Sequence, residues 1–142
     1  MLRVVADANV LISAALARSP QAPSVLTLDA ALDGRIELVT SPLLLREVAM
    51  VLARPRLQKY LSAEEAARFL ADLAAQTTLL VDSKDPPPAV CRDPRDDYLV
   101  ALATSSGAEA IVTGDLDLLA IDPDQLSFEV LTPRQLTDRL SS

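Results

Sequence analysis

The sequence predicts an α/β fold, a three-layer sandwich in which a central, mainly parallel sheet of about five strands is flanked by helices. Three observations carry that expectation. Short apolar runs rich in β-branched residues recur along the chain, as in VVA at 4–6 and AIVT at 110–113, and a strand buried on both faces reads as a continuous apolar run. Between these runs lie longer segments with apolar residues at helical spacing, bounded by caps, prolines and glycines. Strand and helix alternate to the end of the chain, the order that right-handed crossovers fold into a parallel sheet.

The first strand is predicted over Val4, Val5 and Ala6, with a helix leaving it from Asn9 to Leu16. Ser19-Pro20-Gln21-Ala22-Pro23 breaks the chain. Val25, Leu28, Ala31 and Leu32 recur at helical spacing, and Gly34 suits the C-terminal cap of that helix. Arg35 to Val39 reads as the second strand. Ser41-Pro42 combines an N-cap with proline at the first helical position, so a helix follows over Leu43–Ala53 and stops at Pro55. Ser62 with Glu65 forms a capping box that opens a helix to about Ala75. Thr77 to Val81 reads as the third strand, and the proline-rich stretch 82–94 as an irregular surface loop. A helix is expected over Arg95–Ser105 with Gly107 as its cap. The fourth strand spans Ala110–Thr113, a fifth is expected over Ser127–Leu131, and Thr132-Pro133 opens a last helix to about Leu140.

At 142 residues, half of them hydrophobic, the chain suits one domain over 1–142 with enough apolar surface for a core. Its net charge of -7 speaks against a protein that coats DNA, and no recognition of a DNA sequence is expected. A single cysteine, Cys91, excludes an internal disulfide and suits a reducing compartment. Neither a signal peptide nor a membrane-spanning run is evident, so a cytoplasmic protein is expected. The chain has no histidine, which excludes Ser-His-Asp triads, histidine general bases and ordinary zinc sites.

The informative residues are acids. Asp7 follows the first strand directly, at the carboxyl end where open α/β sheets bind ligands, though an Asp there is also a good helix N-cap. Asp115, with Asp117 two residues later, stands in the same relation to the fourth strand, and Asn9 and Thr113 can add amide and hydroxyl contacts. Glu47 falls within the helix SPLLLREVAMVLA on a face with Leu43, Leu44 and Val51, where an isolated carboxylate is costly unless paired or bound, though it can also be a rim position or pair with Arg46 or a distant arginine. In CRDPRDDYLVALA, Asp93 belongs to the turn before Pro94, while Asp96 and Asp97 occupy the first helical turn, where acids also complement the helix dipole. Asp97 is favoured as the inward one, with Asp96 about one hundred degrees around the helix. Two like charges at 4 Å repel by roughly 4 kcal/mol at an effective dielectric near 20. Acids converging on one sheet edge must therefore take up protons or bind a cation, and an all-oxygen set favours Mg²⁺ or Mn²⁺. Such an ion serves phosphate-ester hydrolysis.

With Asp7, Glu47, Asp97 and Asp115 in this order, the chain resembles the PIN-domain family of metal-dependent ribonucleases. The matching stretches are VVADANVLISA, SPLLLREVAMVL, CRDPRDDYLVALA and AIVTGDLDLL, with TPRQL resembling the closing segment, so that nearly the whole chain is covered. Within the family it is most similar to VapC-like toxins of toxin–antitoxin modules. The resemblance implies that Asp7, Glu47 and Asp97 hold a divalent metal, Mg²⁺ or Mn²⁺, with Asp115 at the fourth position. It implies that Asn9 orients the first Asp, that Thr113 supports it, and that Asp117 or Asp96 can share these roles. It also implies an RNA substrate, a homodimer and an antitoxin partner. Arg46, Arg54, Arg56, Arg92 and Arg95 lie near the acid-bearing segments and can contact phosphates, or can equally be solvated surface charges.

Other enzyme classes fit less well. A haloacid-dehalogenase-type phosphatase needs a second Asp two residues after the first, where this chain has Asn9. A receiver domain needs a lysine near the end of the sheet, and the only lysines are Lys59 and Lys84. Dinucleotide and P-loop fingerprints are absent. The alternative from another class is a catalytically silent PIN-like module that binds RNA or protein. Tyr60, Phe69, Tyr98 and Phe128 are too scattered for a base-stacking platform.

Overall fold

A computed structural model of the chain describes residues 1–83 and 96–141. The elements, in chain order, are β1 (Leu2–Ala6), α1 (Ala8–Leu16), α2 (Pro23–Leu32), β2 (Ile36–Thr40), α3 (Pro42–Leu52), α4 (Pro55–Gln58), α5 (Ala63–Gln76), β3 (Thr78–Leu79), α6 (Asp97–Ser106), β4 (Ala110–Val112), α7 (Leu116–Leu119), β5 (Glu129–Leu131) and α8 (Pro133–Ser141). Among the described residues they build one five-stranded sheet, ordered β3-β2-β1-β4-β5, with every pairing parallel. The sheet is flanked by helices, as expected.

The strand order places β1 at the centre, and the register fixes what stands beside its end. Val5 pairs with Val39 on one side and Ala6 with Val112 on the other. Val4, Val5 and Ala6 are fully buried, as are Ala110, Ile111 and Val112, which is why both runs read as unbroken apolar segments. The chain turns to β2 on one side of β1 and to β4 on the other, so a crevice opens at the carboxyl ends of β1 and β4, the usual ligand position in such sheets.

Local signals set the helix boundaries. Asp7 caps α1 by accepting from the Val10 N–H at 2.8 Å, and Ser41 caps α3 by accepting from the Leu44 N–H at 3.3 Å. Ser62 and Glu65 complete the capping box of α5, and Thr132 and Gln135 form a reciprocal pair at the start of α8. Gly107 ends α6 at φ 69°, in the left-handed region that suits glycine. Helix α1 packs against α2 and α3, α2 against α8 and α3 against α5, while α6 packs directly on β1 and β4. The core of α3 is the stripe Leu44, Val48 and Leu52, each at most 1% exposed.

Several boundaries differ from expectation. The third strand is two residues long and stops at Leu79. Beyond it Leu80 still donates to Thr40, but Asp82 accepts from the Leu43 N–H at 3.0 Å, so the chain is drawn off the sheet edge towards the start of α3. Pro55 does not merely end α3; it sits at the first position of α4, where its missing N–H costs nothing. A short helix, α7, follows Asp115. Most of the expected loop 82–94, with Cys91, Arg92 and Asp93, lies outside the described residues.

Leu44, on the inner stripe of α3, is completely buried, so Leu44→Ala is expected to destabilise the protein by about 2–5 kcal/mol. Urea unfolding followed by circular dichroism measures it, and a loss below about 1 kcal/mol would mean that α3 is not packed as described.

Candidate active site

The site grows from one hydroxyl. Thr113, fully buried just past β4, donates from Oγ1 to Asp7 Oδ2 and accepts from the Asp115 N–H at 2.9 Å. The Asp7 N–H donates to the Val112 carbonyl at 3.0 Å, and the Thr113 N–H to the Leu131 carbonyl at 2.8 Å, so the ends of β1, β4 and β5 are laced together. Asp115 Oδ1 in turn accepts from the Asp117 N–H at 2.9 Å and caps α7. Asp7 is only 3% exposed and both of its oxygens are engaged, one by Val10 and one by Thr113. Asp7 and Asp115 are thus joined through a single side chain, as adjacency of the first and fourth strands requires. Asn9 stands exposed in the first turn of α1.

Glu47 comes from the β2 side of the crevice. Its Oε2 accepts from the Tyr98 hydroxyl on α6. The expectation of a carboxylate on a buried apolar face is corrected here. Glu47 is exposed, and Leu43 and Met50 beside it on α3 are exposed as well. The reason is rotation: the buried stripe is Leu44, Val48 and Leu52, and Glu47, one residue from Val48, lies about one hundred degrees away on the open flank. With Leu43, Met50 and Tyr98 it lines a shallow groove that also holds Arg46 and Arg54. Both arginines are exposed, and Arg95 lies outside the described residues.

Asp97 opens α6 and is 6% exposed, while Asp96, one residue earlier, is half-buried, in keeping with Asp97 as the inward acid. The scattered aromatic residues of the sequence do not single out Tyr98, yet its hydroxyl is faced by Glu47, Asp7 and Asp96. Burial, the bond to Glu47 and these negative charges all push its pKa far above the ordinary phenol value.

Electrostatics tie the acids together. Burial pushes the Asp7 pKa up from 3.8, the bonds from Thr113 and Val10 act in the opposite direction, and the charges of Asp115 and Glu47 add to the rise. Among the described residues no three acids are drawn close enough to form a finished metal cluster. Asp115 and Glu47 nevertheless each lie close enough to Asp7 for their charge to act on it, and all three offer oxygen donors. That donor chemistry fits a hard divalent cation, which would relieve the repulsion without protonating Asp7.

A sequence model of the PIN domain matches residues 3–117. The chain belongs to the PIN-domain family. Its relatives include an uncharacterised protein of Methanocaldococcus jannaschii, 30% identical over 96% of this chain and 90% of the relative. Similar folds are found in PAE2754 from Pyrobaculum aerophilum (21% identity, TM-score 0.64, 99% of this chain and 90% of the other). They are also found in VapBC2 from Rickettsia felis bound to a DNA fragment from their promoter (11%, 0.62, 92% and 98%) and in FitAcB from Neisseria gonorrhoeae (18%, 0.56, 92% and 98%). PIN domains are generally nucleases and typically use divalent metal ions.

The raised pKa of Asp7 sets a pH dependence for this PIN domain. Asp7 holds its proton more tightly folded than unfolded, so its favourable contribution is complete below the unfolded value of 3.8 and is lost as pH rises through the folded value. Metal-free Asp7→Asn, which keeps a side chain able to cap α1, is therefore expected to be more stable than wild type at pH 7, with the difference shrinking on acidification towards pH 4. Paired urea titrations in EDTA at the two pH values measure this, and a variant less stable than wild type at pH 7 contradicts it.

Proposed function

We propose that this PIN domain is a divalent-metal-dependent endoribonuclease and the toxin of a toxin–antitoxin pair. The observation that carries the proposal is the buried Asp7 carboxylate at the end of the central strand, held by Thr113 and facing Asp115 and Glu47. Asp7, Glu47, Asp97 and Asp115 would hold Mg²⁺ or Mn²⁺. When bound, such an ion polarises the phosphodiester and acidifies a water, so that hydrolysis expels the 3′-oxygen.

The protein's own groups prepare that reaction. Val10 and Thr113 fix both Asp7 oxygens, leaving the carboxylate no rotamer freedom to lose. Thr113 also sets the backbone that carries Asp115, and Asp117 holds the Asp115 side chain from the far side. Tyr98 orients Glu47, which as an exposed residue would otherwise sweep freely, and Asp96 and Asn9 flank the same crevice. Arg46 and Arg54, with Arg95, would position the phosphate backbone rather than read bases. The toxin assignment draws on the resemblance to VapC-like proteins and on the VapBC2 and FitAcB folds. An antitoxin partner, a homodimer and a cytoplasmic setting belong to the same proposal.

Incubating an RNA pool with Mn²⁺, with Mg²⁺ and with EDTA tests it. Cleavage is expected only with metal, and Asp7→Asn and Asp97→Asn are each expected to lower the rate by at least about 100-fold, the upper end of what losing a mere supporting partner costs. A folded wild type that binds RNA or protein but cleaves nothing with either ion would establish the silent binding module instead.

A further inference from the structure

Charge is unevenly distributed along this acidic chain. Its two longest stretches without an acid are 8–28 and 48–63, and the second carries Arg54, Arg56 and Lys59. The fold brings the two stretches together: the Arg18 guanidinium, just past the end of α1, lies over the Tyr60 ring, 6.0 Å from its centroid. The turn that carries Tyr60 is built to present it. Helical bonding continues past α4 to Leu61, whose N–H donates to the Leu57 carbonyl at 3.0 Å. Leu57 and Leu61 are half-buried, and Leu61 packs on the core. Arg56, Lys59 and Tyr60 stand at the helical spacing i, i+3, i+4 on another side of the turn, and all three are exposed, Tyr60 by 63%.

Arg18, Arg56 and Lys59 make no ion pair among the described residues. The nearest acids in sequence, Glu64 and Glu65, open α5, and Glu65 is folded back onto the Ser62 N–H by the capping box. Three such cations beside an exposed ring, in a protein of net charge -7, create a local field of opposite sign to the whole, complementary to a polyanion. The patch also continues the groove that Glu47 lines, because Arg54 belongs to that groove and directly precedes α4. Arg54 stands two helical turns, about 10 Å, from Glu47. That exceeds the screening length of about 8 Å at physiological salt, so the acids of the site weaken the field of the patch little. A lone ring is no platform for a run of bases. One aromatic face set among cations is nevertheless the combination that holds single-stranded nucleic acid without reading its sequence.

We infer that Arg18, Arg56, Lys59 and Tyr60 form an accessory surface for single-stranded RNA, in which Tyr60 stacks on one base and the three cations contact backbone phosphates of the strand that is cleaved at the acids, an inference that rests on the nuclease activity proposed above. The strand runs from the acids along the Arg46–Arg54 groove to α4. None of the four residues takes part in bond breaking; they set the affinity for RNA long enough to span both places.

The test is fluorescence anisotropy of a labelled single-stranded oligoribonucleotide with the full chain in EDTA, which removes metal-dependent cleavage and leaves binding, read across a salt series. Replacing Arg18, Arg56 and Lys59 together by Gln is expected to weaken binding and to reduce the slope of log K against log salt by about 2, at roughly 0.7 per phosphate on a single strand. Tyr60→Ala is expected to weaken binding by about fivefold to 150-fold, the worth of one stacked base, while keeping the slope, and Tyr60→Phe to keep both. All four side chains are exposed, so the melting temperatures of these variants are expected to match wild type. A control that loses two cations on α8, Arg134→Gln with Arg139→Gln, is expected to keep the slope. An unchanged slope in the triple variant, or an equal loss per charge in the α8 control, overturns the surface. Competition by poly-glutamate as strong as by RNA also overturns it, since a polypeptide offers Tyr60 no base. In each of these cases cleavage by wild type with Mn²⁺, assayed separately, keeps the nuclease. RNA binding that depends on these four residues, without any cleavage, overturns the nuclease and keeps the surface. A wild type that neither binds nor cleaves RNA overturns both.

Discussion

Everything at the carboxyl edge depends on the hydrogen bond from Thr113 to Asp7. The two central strands end at the same level because Ala6 pairs with Val112, and the next residue of each chain must do something with a polar group in a buried place. Asp7 and Thr113 solve this for one another. The carboxylate gains a donor it cannot take from water, and the hydroxyl gains an acceptor while its own lone pair receives the Asp115 N–H. The same carboxylate also starts α1. One buried group therefore sets the exit of β1, the first turn of α1 and the path of the chain after β4. Its surroundings still leave its charge disfavoured, and that residual penalty is what a cation would remove.

The contrast between Asp7 and Glu47 shows how much of the site was legible in the sequence. Asp7 and Asp115 were readable because each follows an unbroken apolar strand, and the end of a buried strand is a place that topology fixes. Asp97 could be separated from Asp96 by helical rotation, and the burial of the two follows that choice. For Glu47 the sequence leaves open an apolar-face and a rim position, and the fold gives the rim. A helix of eleven residues with apolar residues nearly all around gives no unique buried stripe, and Leu43 and Met50, which make that face look like core, are exposed in the fold. Tyr98 was not legible at all. Its importance comes from α6 meeting α3 across the crevice, a contact between segments fifty-one positions apart that no local pattern announces.

The fold itself was easier to read than the ends of its elements. Alternation of strand and helix survives any error of a few residues, and the caps at Ser41, Ser62 and Thr132 act locally, so their chemistry is written in adjacent positions. The third strand failed because its end is decided elsewhere. Leu79 and Val81 look like strand residues, but an edge strand has one ladder only, and the bond from Leu43 to Asp82 diverts the chain once that ladder weakens.

If the proposed nuclease acts on RNA, an acidic protein handling a polyanion faces a conflict between attraction and chemistry. With a net charge of -7, long-range steering opposes the approach of a nucleic acid, and the acids at the site oppose it most. Affinity must then come from a few short-range contacts that act after encounter. Arg46 and Arg54, exposed in the groove that Glu47 lines, are placed to supply such contacts under that proposal. Among the described residues Asp7 makes no ion pair, so its carboxylate stays available to a metal. A guanidinium paired directly with Asp7 would compete with the ion that the proposed hydrolysis needs.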